Sequence, residues 1–226
     1  LLVIPLVLVA ALIGTFLWAR STYGRIEKID LTDVLDPVTG DATNYLLVGS
    51  DSRSEFDPEG ESGVEGTRSD TIILLRITPE GAAMMSIPRD LWVEVADTGE
   101  MGRINGAYNR GPANLVRTVQ NNLDVPVNHY MEVGFGSFVG LVDAIGGVTI
   151  NFPNPVFDPG SGLNVTTAGD VTLDGQQALA YARARNYTEV INGEEVKEPT
   201  ADLGRQQRQQ NFLRTAMREV GATRNP

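Results

Sequence analysis

The chain has 226 residues, of which 42% are hydrophobic and 21% are charged. These values are typical of a globular protein and exclude a wholly disordered chain. The 29 acidic and 18 basic residues give a net charge of −11. This charge argues against nucleic-acid binding, which depends on a surplus of Lys and Arg facing phosphates. Cysteine is absent and His129 is the only histidine, so disulfides, thiol nucleophiles and a histidine-rich metal site are excluded.

The basic residues are almost all arginine, because Lys28 and Lys197 are the only lysines. A GC-rich genome would produce this bias through codon usage alone. The alternative is that planar, bidentate guanidinium groups are needed to bind phosphate. The positions of the arginines along the chain separate these interpretations better than their number does.

Residues 1–19 carry no charge and are followed by Arg20. An uncharged run of about 18 or more residues is typical of a transmembrane helix, and Trp18 lies where an interfacial aromatic is expected. A cleavable signal peptide is the alternative, but the run is long for one and lacks a clear Ala-x-Ala site. We therefore predict a membrane anchor at 1–19, a connector at 20–42 and an extracytoplasmic domain at 43–226. Because the chain does not begin with Met, we also expect a further segment before Leu1.

Short apolar runs bounded by Gly, Pro or Asp predict strands at 45–48, 71–78, 82–87 and 148–152. Helical patterns lie at 113–122, 135–145, 175–185 and 203–220. This mixture predicts an α/β or α+β layered fold. The polar segments 54–67 and 186–201 interrupt the pattern and predict mobile surface loops.

Three predicted strands have clusters of Arg and Asp at their ends, at residues 49–53, 67–71 and 86–90. Charged groups at strand ends can converge at one edge of a sheet, where ligands of α/β proteins bind. Asp51 and Asp70 would supply a pair of hard oxygen ligands suited to Mg²⁺ or Mn²⁺. Pro88 would hold Arg89 and Asp90 in place, because it fixes its own φ angle. For each cluster alone, aspartates in turns paired with neighbouring arginines are an equally simple explanation.

Two further clusters lie at predicted helix ends. Arg183 and Arg185 end one helix, where they would also complement the helix dipole. Asp202 is a candidate N-cap of the last helix, on which Arg205 and Gln209 share one face. A solvated polar first turn would account for the last cluster alone. All five clusters together predict a site for a small polyanion, and a diphosphate with a divalent metal fits best.

Other motifs argue against nucleotide chemistry and against catalysis by histidine. The chain lacks a G-x-x-x-x-G-K-[ST] loop, so a nucleotide P-loop is excluded. The glycines of residues 134–140 have the wrong spacing for a dinucleotide fingerprint. His129 is predicted to be a structural residue at a strand edge.

Seven motifs occur in this order: NYLLVGSDSR, TRSDTIILLRI, MMSIPRDLWVEV, INGAYNRG, LVDAIGGVTINFP, LDGQQALAYARAR and DLGRQQRQQNFL. As an ordered set they resemble the LytR-CpsA-Psr family of bacterial cell-envelope proteins, over residues 44–220. The resemblance implies a layered α-β-α domain with a central mixed sheet, a lipid-accommodating hydrophobic pocket and an N-terminal membrane anchor. It also implies a phosphotransferase that moves a glycopolymer from a polyprenyl-diphosphate carrier in the membrane to peptidoglycan.

The family's site residues transfer by motif onto this sequence. Asp51 and Asp70 match the aspartates associated with Mg²⁺, while Asp202 matches a further acidic position. The residues matching the diphosphate site are Arg68, Arg89, Arg183, Arg185, Arg205 and Gln209. Arg53 and Asp90 lie inside motifs and are predicted to contact substrate. Apolar residues predicted to line a lipid groove are Phe135, Phe138, Val139, Leu141, Leu179 and Phe212.

Two other functions use the same site. A binding protein for polyprenyl phosphates would bind the lipid without transfer, and a lipid diphosphatase would use water as the acceptor. A transcriptional regulator is excluded by the predicted anchor, the net charge and the lack of a recognisable helix-turn-helix. We expect a single-pass protein of a bacterial cell membrane that does not bind nucleic acid.

Overall fold

The computed structural model describes residues 28–51 and 68–223. The chain divides into two compact units, residues 1–33 and 34–226. In the described part of the first unit, Thr32 donates from its backbone N–H and its hydroxyl to the Asp30 carboxylate, at 3.2 and 2.7 Å. The predicted anchor at 1–19 and the predicted loop at 54–67 lie outside the described residues. Within those residues, no helix combines the length and the apolar character needed to cross a membrane.

All the described strands and helices belong to the second unit. The strands are β1 (Thr43–Asp51), β2 (Arg68–Thr78), β3 (Gly81–Ile87), β4 (Trp92–Val95), β5 (Glu100–Arg103), β6 (His129–Gly134), β7 (Val148–Phe152), β8 (Val156–Asp158), β9 (Leu163–Val165), β10 (Gly169–Leu173), β11 (Thr188–Ile191) and β12 (Glu194–Lys197). The helices are α1 (Ile104–Tyr108), α2 (Pro112–Leu123), α3 (Phe135–Ala144), α4 (Gly175–Arg183) and α5 (Asp202–Thr223).

The central sheet has the strand order β3-β2-β1-β6. β1 and β2 pair antiparallel, as do β2 and β3, whereas β1 and β6 are parallel. Side chains of a strand alternate between the two faces of a sheet, and Leu46 and Val48 are buried on one face of β1. The predicted mixed α/β fold with a central mixed sheet is therefore confirmed.

Helices and a second group of strands surround this sheet. α1 contacts β2, α3 contacts β1 and β6, and α5 contacts β3 and β7. β7 and β10 form a two-stranded antiparallel sheet, and β12-β11-β8-β9 form a four-stranded one. Between them and α4 and α5 lies a second core, in which Phe152 meets the edge of the Tyr181 ring at 5.6 Å between centroids. This core supports the chain that leaves α4.

The start of α4 is fixed by a capping box. The Asp174 carboxylate accepts from the N–H of Gln177 at 2.8 Å, and the Gln177 side chain accepts from the N–H of Asp174 at 3.2 Å. The N–H of Gly175 donates to Asp143 of α3 at 2.7 Å. These bonds satisfy donors that a helix leaves open at its N-terminus and tie α4 to α3.

Three details differ from the sequence predictions. The segment predicted as a loop at 186–201 contains the β11–β12 hairpin. The predicted helix at 175–185 ends at Arg183, so Arg185 lies beyond it. Asp202 is the first residue of α5 rather than its N-cap. The earlier helix end follows from Ala184, whose extended ψ of 123° cannot continue a helix.

Candidate active site

An apolar cavity of about 790 Å³ lies between the central sheet and helices α3 and α5. Its sheet wall consists of side chains from β1, β2 and β6, namely Tyr45, Leu47, Ile73, Leu75, Ile77, Met131 and Val133. Its helical wall includes Phe135, Phe138, Leu141, Ile145, Phe212 and Leu213. The volume lies in the range of small-molecule sites, roughly 300–1,000 Å³. Walls of this composition suit a hydrocarbon chain, because the favourable step is removal of apolar surface from water.

Five of the six residues predicted to line a lipid groove line this cavity, and Val139 does not. Val139 instead packs against the start of α4, where a Cβ added at Gly175 would overlap its carbonyl group. The missing side chain of Gly175 thus lets α3 and α4 approach closely. The prediction of groove-lining residues is therefore correct for the five residues that line the cavity and wrong for Val139.

The cavity has one cationic end. Among the residues that the structure describes, four arginines from three separate parts of the chain line it there: Arg89, Arg183, Arg185 and Arg205. Gln209 joins them from the next turn of α5 after Arg205. The structure therefore brings together five of the predicted site residues, although 120 positions separate Arg89 from Gln209 in the numbering of the chain.

Local structure fixes each of these arginines differently. Arg89 lies in the turn after β3, which is closed by a bond from the N–H of Leu91 to the carbonyl of Pro88 at 2.9 Å. The guanidinium group of Arg183 lies over the Phe135 ring, 4.7 Å from its centroid. Such stacking orients a cation without neutralising it. Arg183 therefore keeps its charge available at the cavity.

Arg205 is the most deeply buried of the four, with 5% of its side chain exposed. Its Nη2 lies 2.8 Å from Asp202 Oδ1, and the same oxygen lies 3.7 Å from Arg185 Nε. One carboxylate thus holds two guanidinium groups at the cavity.

Gln209 ties the last helix to the sheet. Its Nε2 donates to Thr71 Oγ1 of β2 at 2.9 Å and to the carbonyl of Ala182 at 3.0 Å. Both bonds use the amide donors, which leaves the Gln209 oxygen as the remaining polar atom of the side chain. Gln209 therefore joins β2, α4 and α5 at the cationic end.

The chain between Arg183 and Arg185 is held on one side by Asp158 at the end of β8. Asp158 is 1% exposed. Its carboxylate accepts from the N–H groups of Arg185 at 2.7 Å, Asn186 at 2.8 Å and Gly160 at 2.8 Å. Burial alone would raise the pKa of Asp158, but these backbone donors together outweigh it and leave the pKa below its usual range.

Arg208 holds the same chain segment on the other side. It is 6% exposed, and its Nη2 donates to the carbonyl of Ala184 at 2.6 Å. Its Nη1 lies 2.7 Å from Glu198 Oε2, and its guanidinium group lies 4.4 Å from the centroid of the Tyr187 ring. Asp158 and Arg208 thus fix the N–H of residue 185 and the carbonyl of residue 184. We call these two residues the backbone clamp.

The predicted metal ligands Asp51 and Asp70 lie at the end of β1 and near the start of β2. Asp51 pairs with Arg68 in the register of the two strands. The register shifts between Gly49 and Ser50, which leaves Asp70 as an extra residue in β2. In the sequence, Asp51 lies two residues after Gly49 and Asp70 directly precedes Thr71. Both Gly49 and Thr71 line the cavity.

Two further predicted residues, Asp90 and Asp202, are described by the structure and are not among the residues that line the cavity. Asp90 is 62% exposed and lies 3.6 Å from Arg89 and 3.5 Å from Arg103. Asp202 acts through its contacts to Arg185 and Arg205. Arg53 lies outside the described residues. Asp90 and Asp202 are therefore placed to orient arginines.

Sequence reasoning missed four polar residues of the cationic end: Thr71, Asp158, Ser161 and Asn186. Thr71 lies inside the predicted cluster at 67–71, but only the charged residues of that cluster were given a role. Asp158 opens the run Asp-Pro-Gly-Ser-Gly, which is typical of a turn. The partners of its carboxylate at residues 185 and 186 leave no signal in the sequence.

Comparison with known proteins identifies the family. The model of the LytR_cpsA_psr family matches residues 15–225. The chain belongs to this family. It is similar to a probable cell wall biosynthesis protein, LcpB of Corynebacterium glutamicum, with 38% identity over 75% of the chain and 42% of LcpB. It is also similar to the polyisoprenyl-teichoic acid–peptidoglycan teichoic acid transferase TagU of Bacillus subtilis, with 34% identity over 88% of the chain and 61% of TagU.

Solved structures of family members share the fold. A LytR-Csp2A-Psr enzyme from Actinomyces oris gives a TM-score of 0.69 at 27% identity, covering 89% of this chain and 70% of that one. The family protein YwtF (TagT) with bound octaprenyl pyrophosphate gives 0.59 at 26% identity, covering 88% and 70%. TagT is a protein of B. subtilis. This chain spans less than two thirds of the length of LcpB and of TagU.

Proposed function

We propose that this protein transfers a glycopolymer from a polyprenyl-diphosphate carrier to peptidoglycan. The observation that carries the proposal is the apolar cavity that ends in four arginines. A ligand matching it needs a long hydrocarbon at one end and several negative charges at the other, as a polyprenyl diphosphate has. The teichoic acid transferase named TagU and the octaprenyl pyrophosphate bound to TagT support the same substrate class.

The reaction we propose is a phosphoryl transfer between two oxygens. A hydroxyl group of the peptidoglycan attacks the phosphorus that bears the glycopolymer, and a new P–O bond forms. The bond from that phosphorus to the bridging oxygen breaks, and polyprenyl phosphate leaves with the electron pair. The acceptor's proton goes to solvent or to a base at the site. No protein nucleophile is needed, so catalysis rests on positioning and on neutralising charge.

The arginines supply that neutralisation. Guanidinium groups form bidentate hydrogen bonds with phosphate oxygens, and such charge-assisted bonds contribute about 1.5–3 kcal/mol each. Arg205 and Arg185 are already oriented through Asp202. Their geometry is therefore set before substrate arrives, which is the condition for strong electrostatic stabilisation of a transition state.

The chemistry of Asp51 and Asp70 supports a divalent cation, because carboxylate oxygens are the ligands that Mg²⁺ and Mn²⁺ prefer. Their neighbours in the sequence, Gly49 and Thr71, line the cavity. We propose that they hold Mg²⁺ or Mn²⁺ together with the diphosphate. The bound metal would supply additional charge neutralisation on the phosphate oxygens. Arg68, the strand partner of Asp51, is proposed to join the arginines.

A reconstituted transfer assay tests the proposal. The full chain in detergent micelles is incubated with a lipid-linked glycopolymer, Mg²⁺ and peptidoglycan strands. We expect polyprenyl phosphate and glycopolymer bound to peptidoglycan to appear in equal amounts. Release of polyprenyl phosphate without attachment would show a diphosphatase, and binding without release would show a lipid-binding protein. Either outcome refutes the transfer.

We propose that residues 1–19 anchor the protein in a bacterial cell membrane. Residues 20–42 would connect this anchor to a catalytic domain, residues 43–226, that lies outside the cytoplasm. The uncharged run at 1–19 supports this, since a helix of about 20 residues spans the hydrocarbon layer. A C-terminal reporter that is active only in the cytoplasm should be silent. A strong cytoplasmic signal would refute the orientation.

A further inference from the structure

The β4–β5 hairpin is fastened rigidly to helix α2. Asn114, Thr118 and Asn122 of α2 make four hydrogen bonds to the backbone of β4 and the turn after it, at 2.8–3.2 Å. Val93 and Val95 are buried beneath the hairpin. Because the hairpin is rigid, little conformational entropy is lost when a ligand binds to its outward side chains.

The outward face of this hairpin exposes two large apolar side chains. Trp92 is 61% exposed and Met101 is 57% exposed. In the antiparallel register Trp92 pairs with Arg103 and Glu94 pairs with Met101, so Trp92 and Met101 are diagonal neighbours within side-chain reach. When a ligand covers the exposed indole, apolar surface is removed from water, and this contributes favourably to the free energy of binding. This face, made of Trp92, Glu94, Met101 and Arg103, is called the hairpin platform.

Charged groups border the indole and connect it with the candidate active site. The Arg103 side chain is 68% exposed and lies 3.5 Å from Asp90, which lies 3.6 Å from Arg89. Arg89 lines the cationic end of the cavity. The N–H of Asn105, two residues after Arg103, donates to the carbonyl of Arg89 at 3.1 Å. The platform and the cationic end are therefore parts of one continuous surface.

We propose that the hairpin platform binds the glycan strand of the acceptor, with Trp92 stacked on a sugar ring. This inference rests on the proposed function. A pyranose presents C–H groups on one face and hydroxyls at its edges. The indole offers an electron-rich face for the C–H groups, while Asp90, Glu94 and Arg103 offer acceptors and donors for hydroxyl and amide groups. Neither a purely apolar partner nor a polyanion matches this combination of groups.

The position of the platform also favours the acceptor over the donor. The donor's lipid fits the cavity and its diphosphate fits the arginines. The acceptor hydroxyl must then reach the phosphorus from outside the cavity. Trp92 lies three residues from Arg89, a separation of at most about 11 Å between Cα atoms. A glycan strand lying on the platform would therefore place a neighbouring sugar beside the diphosphate.

Tryptophan fluorescence tests direct binding without any transfer reaction. The chain has two tryptophans, so Trp18→Phe leaves Trp92 as the single reporter. The full chain in detergent is titrated with chitohexaose, a soluble β-1,4-linked oligomer of N-acetylglucosamine. We expect a saturable blue shift of the emission as the sugar displaces water from the indole. No shift at millimolar sugar would overturn the proposal, even if transfer is confirmed.

Steady-state kinetics test the acceptor role. Trp92→Ala should raise KM for peptidoglycan strands about tenfold, as expected for loss of an aromatic contact at a binding surface, and leave KM for the lipid donor unchanged. Trp92→Tyr should recover most of the loss. Val196→Ala, at an exposed position of β12, is the matched control and should match the parent protein.

An unchanged acceptor KM in Trp92→Ala would overturn the acceptor role, whatever the fluorescence shows. A raised acceptor KM without any fluorescence shift would overturn direct contact. If no transfer occurs at all, the proposed function fails and the fluorescence titration still decides whether the platform binds glycan.

Discussion

Replacing Asp158 by Asn tests the backbone clamp at constant side-chain size. The carboxylate accepts three N–H bonds of 2.7–2.8 Å, two on Oδ2 and one on Oδ1. An amide can place its oxygen on only one of these sides, and its NH₂ group then faces an N–H donor. One charge-assisted bond is worth about 1.5–3 kcal/mol, and a buried unsatisfied donor costs about 1–3 kcal/mol. We therefore expect the free energy of unfolding to fall by about 3 kcal/mol.

The same change should impair the site, because Arg185 and Asn186 carry the affected N–H groups. A displacement of about 1 Å at a catalytic group can cost a hundredfold in rate, so kcat/KM for the lipid donor should fall at least tenfold. Urea unfolding and transfer kinetics measure the two effects. Asp124→Asn is the control, because Asp124 is exposed and its left-handed φ of 51° suits Asn equally well. If Asp158→Asn unfolds and reacts like the control, the clamp has no role.

The pH dependence of stability follows from the same carboxylate. The pKa of Asp158 in the folded protein is below its usual value, which is about 3.9 in an unfolded chain. The unfolded state therefore binds more protons than the folded state as the pH falls below this value. The stabilisation by Asp158 is present above about pH 4 and is lost as the pH falls through the lower, folded pKa. Asp158→Asn should lose this acid-dependent part of the unfolding free energy.

Three further predictions concern the cavity and its cationic end. Arg89→Lys and Arg183→Lys keep the positive charge but lose the bidentate guanidinium group. We therefore expect kcat/KM for the lipid donor to fall roughly tenfold to a hundredfold. The control Arg117→Lys, on the exposed side of α2, should leave kcat/KM unchanged. Asp70→Ala should abolish the activity that added Mg²⁺ restores after chelation, and full metal-dependent activity would refute its assignment as a ligand. Ala216→Phe places a ring in the cavity and should weaken binding of a long-chain polyprenyl diphosphate while sparing a short-chain one, measured by calorimetry.

Three of the four strands of the central sheet were predictable because they carry apolar runs, whereas β6, with the sequence HYMEVG, was not predicted as a strand. Residues 71–78 and 82–87 were predicted as strands and form most of β2 and β3. The β11–β12 hairpin was missed because its strands are polar and mostly exposed. Its turn did leave a signal, since Asn192 and Gly193 have φ angles of 54° and 84°. Asn-Gly between two short runs is the preferred sequence of a two-residue hairpin turn.

The candidate site was predictable to the extent that its residues lie in sequence motifs. Arg183 and Arg185 stand out because they lie close together in an acidic chain, at and just beyond the end of a helix. Asp158 and Arg208 act instead through the backbone of residues 184–186, and the partners of a backbone hydrogen bond can have any side chain. Arg208 follows Arg205 in the same motif, but its burial against Tyr187 and Ala184 depends on tertiary packing. Only the folded structure distinguishes it from the arginines that line the cavity.

The arginines of this structure occupy two different settings, exposed surface positions and the cavity. Arg103, Arg110, Arg117, Arg214 and Arg218 are exposed, and nothing at those positions requires a guanidinium group rather than an ammonium group. The bias therefore extends to surface positions, as codon usage predicts. At the cavity the requirement is chemical, because Arg205 is 5% exposed and an ammonium group loses more hydration on burial than a guanidinium group does. The buried, converging arginines therefore mark the site, and the total number of arginines does not.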